Sequence, residues 1–236
     1  MSSGSNLVLL SAGLDSAVNL LIALEEGGVE AAITVDYGQR AAPREVEKAR
    51  ALCLQHGVKH TVLDATWLAG ISGDALTSPQ MEVPVLEPDQ LADTAHLAHT
   101  MRAVWVPNRN GLLVNMGACV AEALGVPWVV MGLNAEEGAS FRDNSPGFVR
   151  ECNRALGYAT IARVRLRSFT IAWDKLAILR EAVARELDFH NIWSCYNGGE
   201  LMCGSCESCV RLLFAARKLR VSQRLYGLFE GGYLKG

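Results

Sequence analysis

Short runs of consecutive apolar residues alternate along this chain with longer stretches in which apolar side chains return every three or four positions. The runs Leu7–Leu10, Ala31–Asp36, His60–Asp64, Val126–Met131 and Val164–Phe169 have the length and branched character of buried strands. The stretches Ala17–Glu26, Arg44–His56, Gly111–Leu124 and Asp174–Leu187 carry the helical period. Their ends are marked by Pro43 in a favourable first-turn position, Asp174 as an N-cap, and Gly57 and Gly125 beyond C-termini. This alternation predicts an α/β fold, an open parallel sheet with helices on both faces and ligands at the carboxyl ends of its strands. Gly70–Val106, with Pro79, Pro84 and Pro88, breaks the rhythm and is expected to be a lid or an interface rather than a plain connector. No repeat or low-complexity segment interrupts the pattern.

With 236 residues the chain is expected to form one large domain with an appendage: residues 1–190 binding a nucleotide, and residues 191–236 a small helical subdomain. Half the residues are hydrophobic and 20% are charged, which argues against disorder. A net charge of −3 gives no general attraction to nucleic acid or anionic lipid. Arg163, Arg165 and Arg167, and the tail group Arg211, Arg217, Lys218, Arg220 and Arg224, are expected to be solvated faces rather than an RNA track. No apolar run approaches the roughly 20 residues of a membrane span, and Met1 to Asn6 is too short and uncharged for a signal peptide. Cys53, Cys119 and Cys152 on helical stretches suit a reducing compartment, so the protein is expected in the cytoplasm.

The remaining four of the seven cysteines fall within one stretch. Cys195, Cys203, Cys206 and Cys209 are spaced C-x7-C-x2-C-x2-C, with Gly198, Gly199 and Gly204 between them. A C-x2-C step lets two sulfurs reach one ion from a tight turn, and four thiolates suit tetrahedral zinc with no position left for water. A structural Zn²⁺ is therefore expected, with an iron–sulfur cluster as the main rival and disulfides as the plainer alternative.

At the other end, the run ending at Leu10 leads into Ser11-Ala12-Gly13-Leu14-Asp15-Ser16 and then into a helical stretch. Small residues at a helix N-terminus let backbone N–H groups approach phosphate oxygens, though a serine there also serves as a simple cap. The segment lacks the lysine of a Walker loop. It resembles the SGGxDS loop of the ATP pyrophosphatases, which adenylate a substrate, with Ala12 in place of the first glycine. The extra methyl is expected to be tolerated at negative φ and to crowd the pyrophosphate at positive φ.

Further motifs narrow the resemblance to the 7-cyano-7-deazaguanine (preQ0) synthases, over nearly the whole chain. Asp36-Tyr-Gly-Gln-Arg40 is similar to that family's DYGQR segment, Val106-Pro-Asn-Arg-Asn110 to VPxRN, and Trp193-Ser-Cys-Tyr196 with Cys203, Cys206 and Cys209 to WSCY…CGxCxSC. Lys175 matches a family lysine. The segment 132–148 departs from GxNxxDxSGYPDCRPEF: Glu137 stands for Asp, Phe141 for Tyr, Arg142 for Pro and Asn144 for Cys, while Asn134, Asp143, Pro146 and Phe148 are kept.

The resemblance implies a ligase that uses ATP with Mg²⁺ and free ammonia to convert 7-carboxy-7-deazaguanine into the nitrile, through an acyl-adenylate and an amide. It implies catalytic roles for Asp15, Ser16, Arg109 and Lys175. It surrounds ATP with Leu10, Ser11, Ala12, Gly13, Leu14, Asp15, Ser16, Asp36, Tyr37, Gln39, Arg40 and Gly132, and the acid with Asn134, Glu137, Phe141 and Asp143. It also implies a homodimer, with neither nucleic acid nor membrane as partner. Two alternatives stay open: a paralogue that stops at the amide or joins the activated acid to another amine, a protein included, and a tRNA-modifying relative that shares the loop.

Overall fold

The computed structural model describes residues 5–93 and 100–232, so residues 1–4 of the N-terminus and residues 94–99 of the expected long loop lie outside it. Five strands form one parallel sheet: β1 (Asn6–Leu9), β2 (Val29–Asp36), β3 (Lys59–Asp64), β4 (Trp128–Met131) and β5 (Arg165–Arg167). Their spatial order is β3-β2-β1-β4-β5. The helices are α1 (Leu14–Glu25), α2 (Ala42–Gln55), α3 (Arg109–Leu124), α4 (Ala135–Ser140), α5 (Pro146–Ala159), α6 (Lys175–Ala184) and α7 (Glu207–Leu219).

The sheet's two faces come directly from strand alternation. Val8, Leu10, Ala32 and Val130 pack on one side with α1, α2, α6 and α7, while Leu7, Leu9, Ala31, Ile33, Val129, Met131 and Leu166 pack on the other with α3 and α5. The period-2 split of fully buried strands is what a doubly covered parallel sheet requires. From β1 the chain winds outward through β2 and β3, then returns to the other side of β1 for β4 and β5. The carboxyl ends of β1 and β4 therefore flank the point where strand order reverses, and loops there diverge to leave a cleft.

Helix ends follow the expected chemistry. Asp174 caps α6 by accepting from the Ala177 N–H at 2.7 Å, Pro43 lies in the first turn of α2, and Gly57 and Gly125 take positive φ of 65° and 69° after α2 and α3. Three differences stand out. Helix α1 starts at Leu14 rather than Ala17, because Gly13 caps it in extended geometry. Helix α6 stops at Ala184, ahead of Glu186 at a φ of 53°. The segment 132–148, which lies outside the expected helical stretches, contains α4 and the first turn of α5. Asn134 caps α4, and Ser145 caps α5 ahead of Pro146.

Two arginine groups are more than solvated faces. Arg167 stacks on Trp128 and Phe169, with its guanidinium 4.7 and 4.6 Å from the ring centroids, and donates to Asn6. Arg211 bridges Glu136 at 2.9 Å and Glu207 at 2.8 Å. Residues 193–229 pack into the same apolar cluster as β1 and α1 through Trp193, Met202, Leu212, Leu213 and Phe229. Within Gly70–Val106, the Leu86 N–H donates to the Ser205 carbonyl at 2.8 Å, which ties this segment to the cysteine-rich one. Among the described residues no helix is long and apolar enough to cross a membrane.

Candidate functional site

The loop after β1 is held open at the N-terminus of α1. Leu10 donates to the Ile33 carbonyl (2.8 Å), and Ser16 Oγ reaches the Gly13 carbonyl (3.1 Å) and Ser11 Oγ (3.3 Å). The Leu14 N–H donates to Ser194 Oγ at 3.3 Å, while the N–H groups of Asp15 and Ser16 find no partner among the described residues. Unpaired amides at a helix start, with the dipole behind them, are an anion site. Gly132, just past β4, presses on this turn: a Cβ there would sit 2.6 Å from Ser16 N, so only glycine permits the approach.

Ala12 sits in the left-handed region at φ 57°, the geometry expected to crowd a pyrophosphate. Its side chain is instead fully buried in the core, and Ser11 and Gly13 line the cleft on either side of it. The anticipated crowding does not arise, because the left-handed turn carries the methyl inward.

Beside the loop lies a buried charge cluster. Lys175 Nζ contacts both Asp15 oxygens, at 2.7 and 2.9 Å, and Glu137 Oε1 at 3.4 Å. Asn134, fully buried, donates to Asp15 Oδ2 at 3.0 Å and accepts from the Glu137 N–H at 2.8 Å. Burial disfavours charge on Lys175, but Asp15 and then Glu137 outweigh it and hold the ammonium's pKa above its ordinary value. Burial raises Asp15, with Lys175 pulling the other way. For Glu137 burial is overcome by Lys175, and the net direction is down. The Lys175 N–H donates to Glu136, itself paired to Arg211, so this cluster connects to α7.

Arg109, at the start of α3, also lines the cleft. Its Nη1 donates to Tyr37 Oη at 3.4 Å, and its guanidinium lies 5.8 Å from the Tyr37 ring centroid. Gln39 donates to Glu45 Oε2 at 2.8 Å, and burial pushes the Glu45 carboxyl up to about 7.

The structure thus brings most of the sequence-derived residues together. Leu10, Ser11, Gly13, Leu14, Asp15, Ser16, Tyr37, Gln39, Arg109, Gly132, Glu137 and Lys175 line one cleft. Asn134 lies behind it, supporting Asp15. Ala12, Asp36, Arg40, Phe141 and Asp143 stand off its walls. Asp36 accepts from the Gly38 N–H, Arg40 donates to the Ser78 and Met81 carbonyls, and Phe141 stacks parallel to Trp105 at 6.1 Å. Asp143 follows Arg142 in a short 3-10 turn, where its backbone carbonyl accepts from Asn110.

Sequence reasoning passed over Glu45, Ser194 and Ser208, all cleft-lining. Glu45 carried one available signal, an acidic residue in the first turn of a helix that begins beside a strand's carboxyl end. For Ser194 and Ser208 the only signal was proximity to the cysteines.

Cys195, Cys203, Cys206 and Cys209 are unbridged, and their Sγ atoms all lie within 4.8 Å of one another. A tetrahedral ion with metal–sulfur bonds of about 2.3 Å requires sulfurs about 3.8 Å apart, which this cluster accommodates with little movement. Backbone N–H groups of Asn197 and Cys203 point at the Cys195 sulfur (3.3 and 3.4 Å), and that of Cys206 points at the Cys203 sulfur (3.3 Å). Such donors favour thiolates, and four adjacent thiolates need a cation. The donor set therefore fits a metal ion.

Comparison with known proteins agrees with this geometry. The profile of the family described as queuosine biosynthesis protein QueC matches residues 5–219. The chain belongs to the QueC family. It is 43% identical to the 7-cyano-7-deazaguanine synthase of Pelotomaculum thermopropionicum, over 90% of this chain and 96% of the relative. It is 45% identical to the enzyme of that name from Desulforudis audaxviator, over 89% and 96%. The one from Methanosarcina barkeri is 40% identical over 93% and 96%. As a member of the QueC family the chain is an enzyme of queuosine biosynthesis.

Proposed function

We propose that this enzyme uses ATP and ammonia to convert 7-carboxy-7-deazaguanine into 7-cyano-7-deazaguanine. The observation that carries the reading is the match, along nearly the whole length, to relatives named for that product. The cleft supports it with an anion site at the head of α1, backed by a buried lysine.

A carboxylate oxygen of the acid attacks the α-phosphorus of ATP and pyrophosphate leaves. Ammonia adds to the acyl carbon, nitrogen sheds a proton, and the bond to AMP breaks to give the amide. A second ATP adenylates the amide oxygen, and loss of two N–H protons with AMP gives the nitrile. The protein's part is placement and charge neutralisation. Ser11, Gly13 and the free amides of Asp15 and Ser16 receive the phosphates. Lys175 and Arg109 clamp phosphate and carboxylate, with Arg109 the better match to a planar anion. Asp15 and Asn134 aim the lysine. Asp15 is the carboxylate that would hold a Mg²⁺ bound with ATP, which would lower the charge on the phosphates.

The four cysteines are read as a structural zinc site, closed by its four donors. Cys53, Cys119 and Cys152 are free thiols, consistent with the reducing cytoplasm. Mass spectrometry after incubation with ATP, Mg²⁺, ammonium and the carboxylate tests the proposal. The nitrile is the expected product. An accumulating amide, or an adduct with another amine, would instead identify a paralogue, and an unconsumed acid would overturn the reading.

A further inference from the structure

Making a nitrile from ammonia removes three protons from one nitrogen, so a group in the cleft must take them. Among the described residues three carboxylates line the cleft: Asp15, Glu45 and Glu137. Asp15 and Glu137 are both ion-paired to Lys175, and protonating either would break up that cluster. Glu45 makes no ion pair among the described residues. Glu45 lines the cleft; its Oε2 accepts from Gln39, and its Oε1 takes no hydrogen bond among the described residues. Gln39 is itself locked, accepting from the Tyr37 N–H at 2.9 Å and donating to the Val35 carbonyl at 3.2 Å, so Glu45 is held in one orientation.

The other titratable groups on the cleft wall are unsuited to the task. Lys175 and Arg109 stay charged, the Tyr37 and Tyr196 phenols are pushed up by burial, and Cys195 belongs to the metal cluster. No histidine is among the described lining residues.

Resting on the reaction read above, we propose that Glu45 is the base that takes protons from the substrate nitrogen, first from the ammonia adduct of the acyl-adenylate and then from the adenylated amide. Each proton passes from nitrogen to the Glu45 carboxylate as the electron pair left on nitrogen builds the new C–N bonding. AMP leaves with the C–O electrons, and Glu45 returns its proton to water between steps. The groups that set its titration are Gln39 and Arg109, which favour the carboxylate, and Asp36, which opposes it; Tyr37 lies beside it. On its own helix Arg44 and Lys48 are engaged by Glu47. Burial outweighs the rest, and a carboxyl that titrates at about 7 can both take and release protons near neutrality.

The test separates adenylation from nitrogen chemistry in the metal-loaded, full-length protein. Glu45→Gln should release pyrophosphate in the first turnover within about threefold of wild type, while amide formation falls by about 10²-fold or more. With free NH₃ held constant, the wild-type amide step should rise with pH through about 7, and the variant should lose that limb. Hydroxylamine, whose nitrogen sheds a proton more readily, should restore turnover of the variant as the hydroxamate. Equal losses of pyrophosphate release and amide formation, equal losses with ammonia and hydroxylamine, or an unimpaired variant would each overturn the assignment. Should the variant not fold, a flat wild-type profile for the amide step between about pH 6 and 8 would overturn it equally. A wild-type protein that releases no pyrophosphate with the acid would sink the reaction reading itself, a different failure.

Discussion

The backbone N–H of Trp193 donates to the carbonyl of Ala12 at 2.8 Å, joining the cysteine-rich segment to the phosphate loop. Ser194 adds a second tie through the Leu14 N–H, and Cys195 follows immediately. A metal that fixes Cys195 therefore also fixes the two residues that shape the loop. Two hydrogen bonds thus join the cysteine cluster to the loop proposed to hold the nucleotide.

Removing the metal should weaken ATP binding as well as the fold. Cys206→Ser, or a strong chelator, is expected to lower the melting temperature, since a structural ion contributes folding free energy. Two hydrogen bonds at about 1 kcal/mol each predict a loss of ATP affinity of roughly tenfold to thirtyfold in the protein that remains folded. Metal analysis with calorimetric ATP titration checks both. Unchanged affinity without metal would refute the coupling, and iron in place of zinc would refute the zinc assignment.

Ala12→Gly should be nearly neutral. Glycine removes a left-handed penalty of about 1 kcal/mol, but it gives up a buried methyl worth about 0.8 kcal/mol and adds freedom to the unfolded chain. These oppose one another, so the change in unfolding free energy is expected within about 1 kcal/mol, with ATP affinity unchanged. Ala12→Val, a branched residue at positive φ, should lose well over that. Urea denaturation of both variants measures the difference.

The strands were legible as short continuous apolar runs such as Leu7–Leu10, buried on both faces of the sheet, and most helices by a period of 3.6 wherever one face packs on the sheet, as in Gly111–Leu124. Helix α4 was not, because six residues with none fully buried leave no periodic trace, and only the Asn134 cap marks it. Helix α5 had a readable start in Ser145-Pro146, but only Leu156 is fully buried along it. At the site, Asp15 and Lys175 could be named from their motifs. Their pairing across 160 positions, and Glu45 beside Gln39, depend on how β1, β2 and α6 are brought together.

Asp15→Ala should sharply reduce turnover while leaving the fold largely intact. Lys175 keeps Glu137 as a partner, so its charge stays compensated. What is lost is the aim of the ammonium and the carboxylate nearest the phosphate loop, an electrostatic defect of roughly 10²–10³ in turnover. Circular dichroism and pyrophosphate release together decide the matter. Near wild-type turnover would mean that this loop does not hold the nucleotide.

Glu45 should also leave a mark on stability against pH. Its folded value is raised from 4.5 to about 7, so between those limits the native state holds a proton that the unfolded chain has released. Its contribution is thus fully present below about pH 4.5 and is lost as pH rises to about 7. Glu45→Gln removes this dependence. Relative to wild type, the variant should gain stability at pH 8 compared with pH 5, measured by urea midpoints at both. Parallel curves for the two proteins would contradict the burial argument.

Asp143 distinguishes a binding role from a peripheral one. The sequence resemblance assigns its carboxylate to the guanine-like edge of the substrate, yet the side chain stands off the cleft wall, while Glu137 and the adjacent Asn144 line it. A site that pairs with a substrate's donors rejects analogues lacking them by roughly 10⁴-fold, because its acceptors are then left unpaired. If Asp143 played that part, Asp143→Ala would impair use of the acid by a comparable factor and leave ATP affinity alone. With Asp143 off the wall, the expected effect is smaller, about tenfold in the KM for the acid, through loosening of the Arg142–Asn144 turn. Glu137→Gln should do more harm, since it alters a residue that both lines the cleft and holds Lys175. Parallel KM measurements for the acid and for ATP rank the two variants. A larger loss from Asp143→Ala would show that the 142–144 turn closes over the substrate on binding.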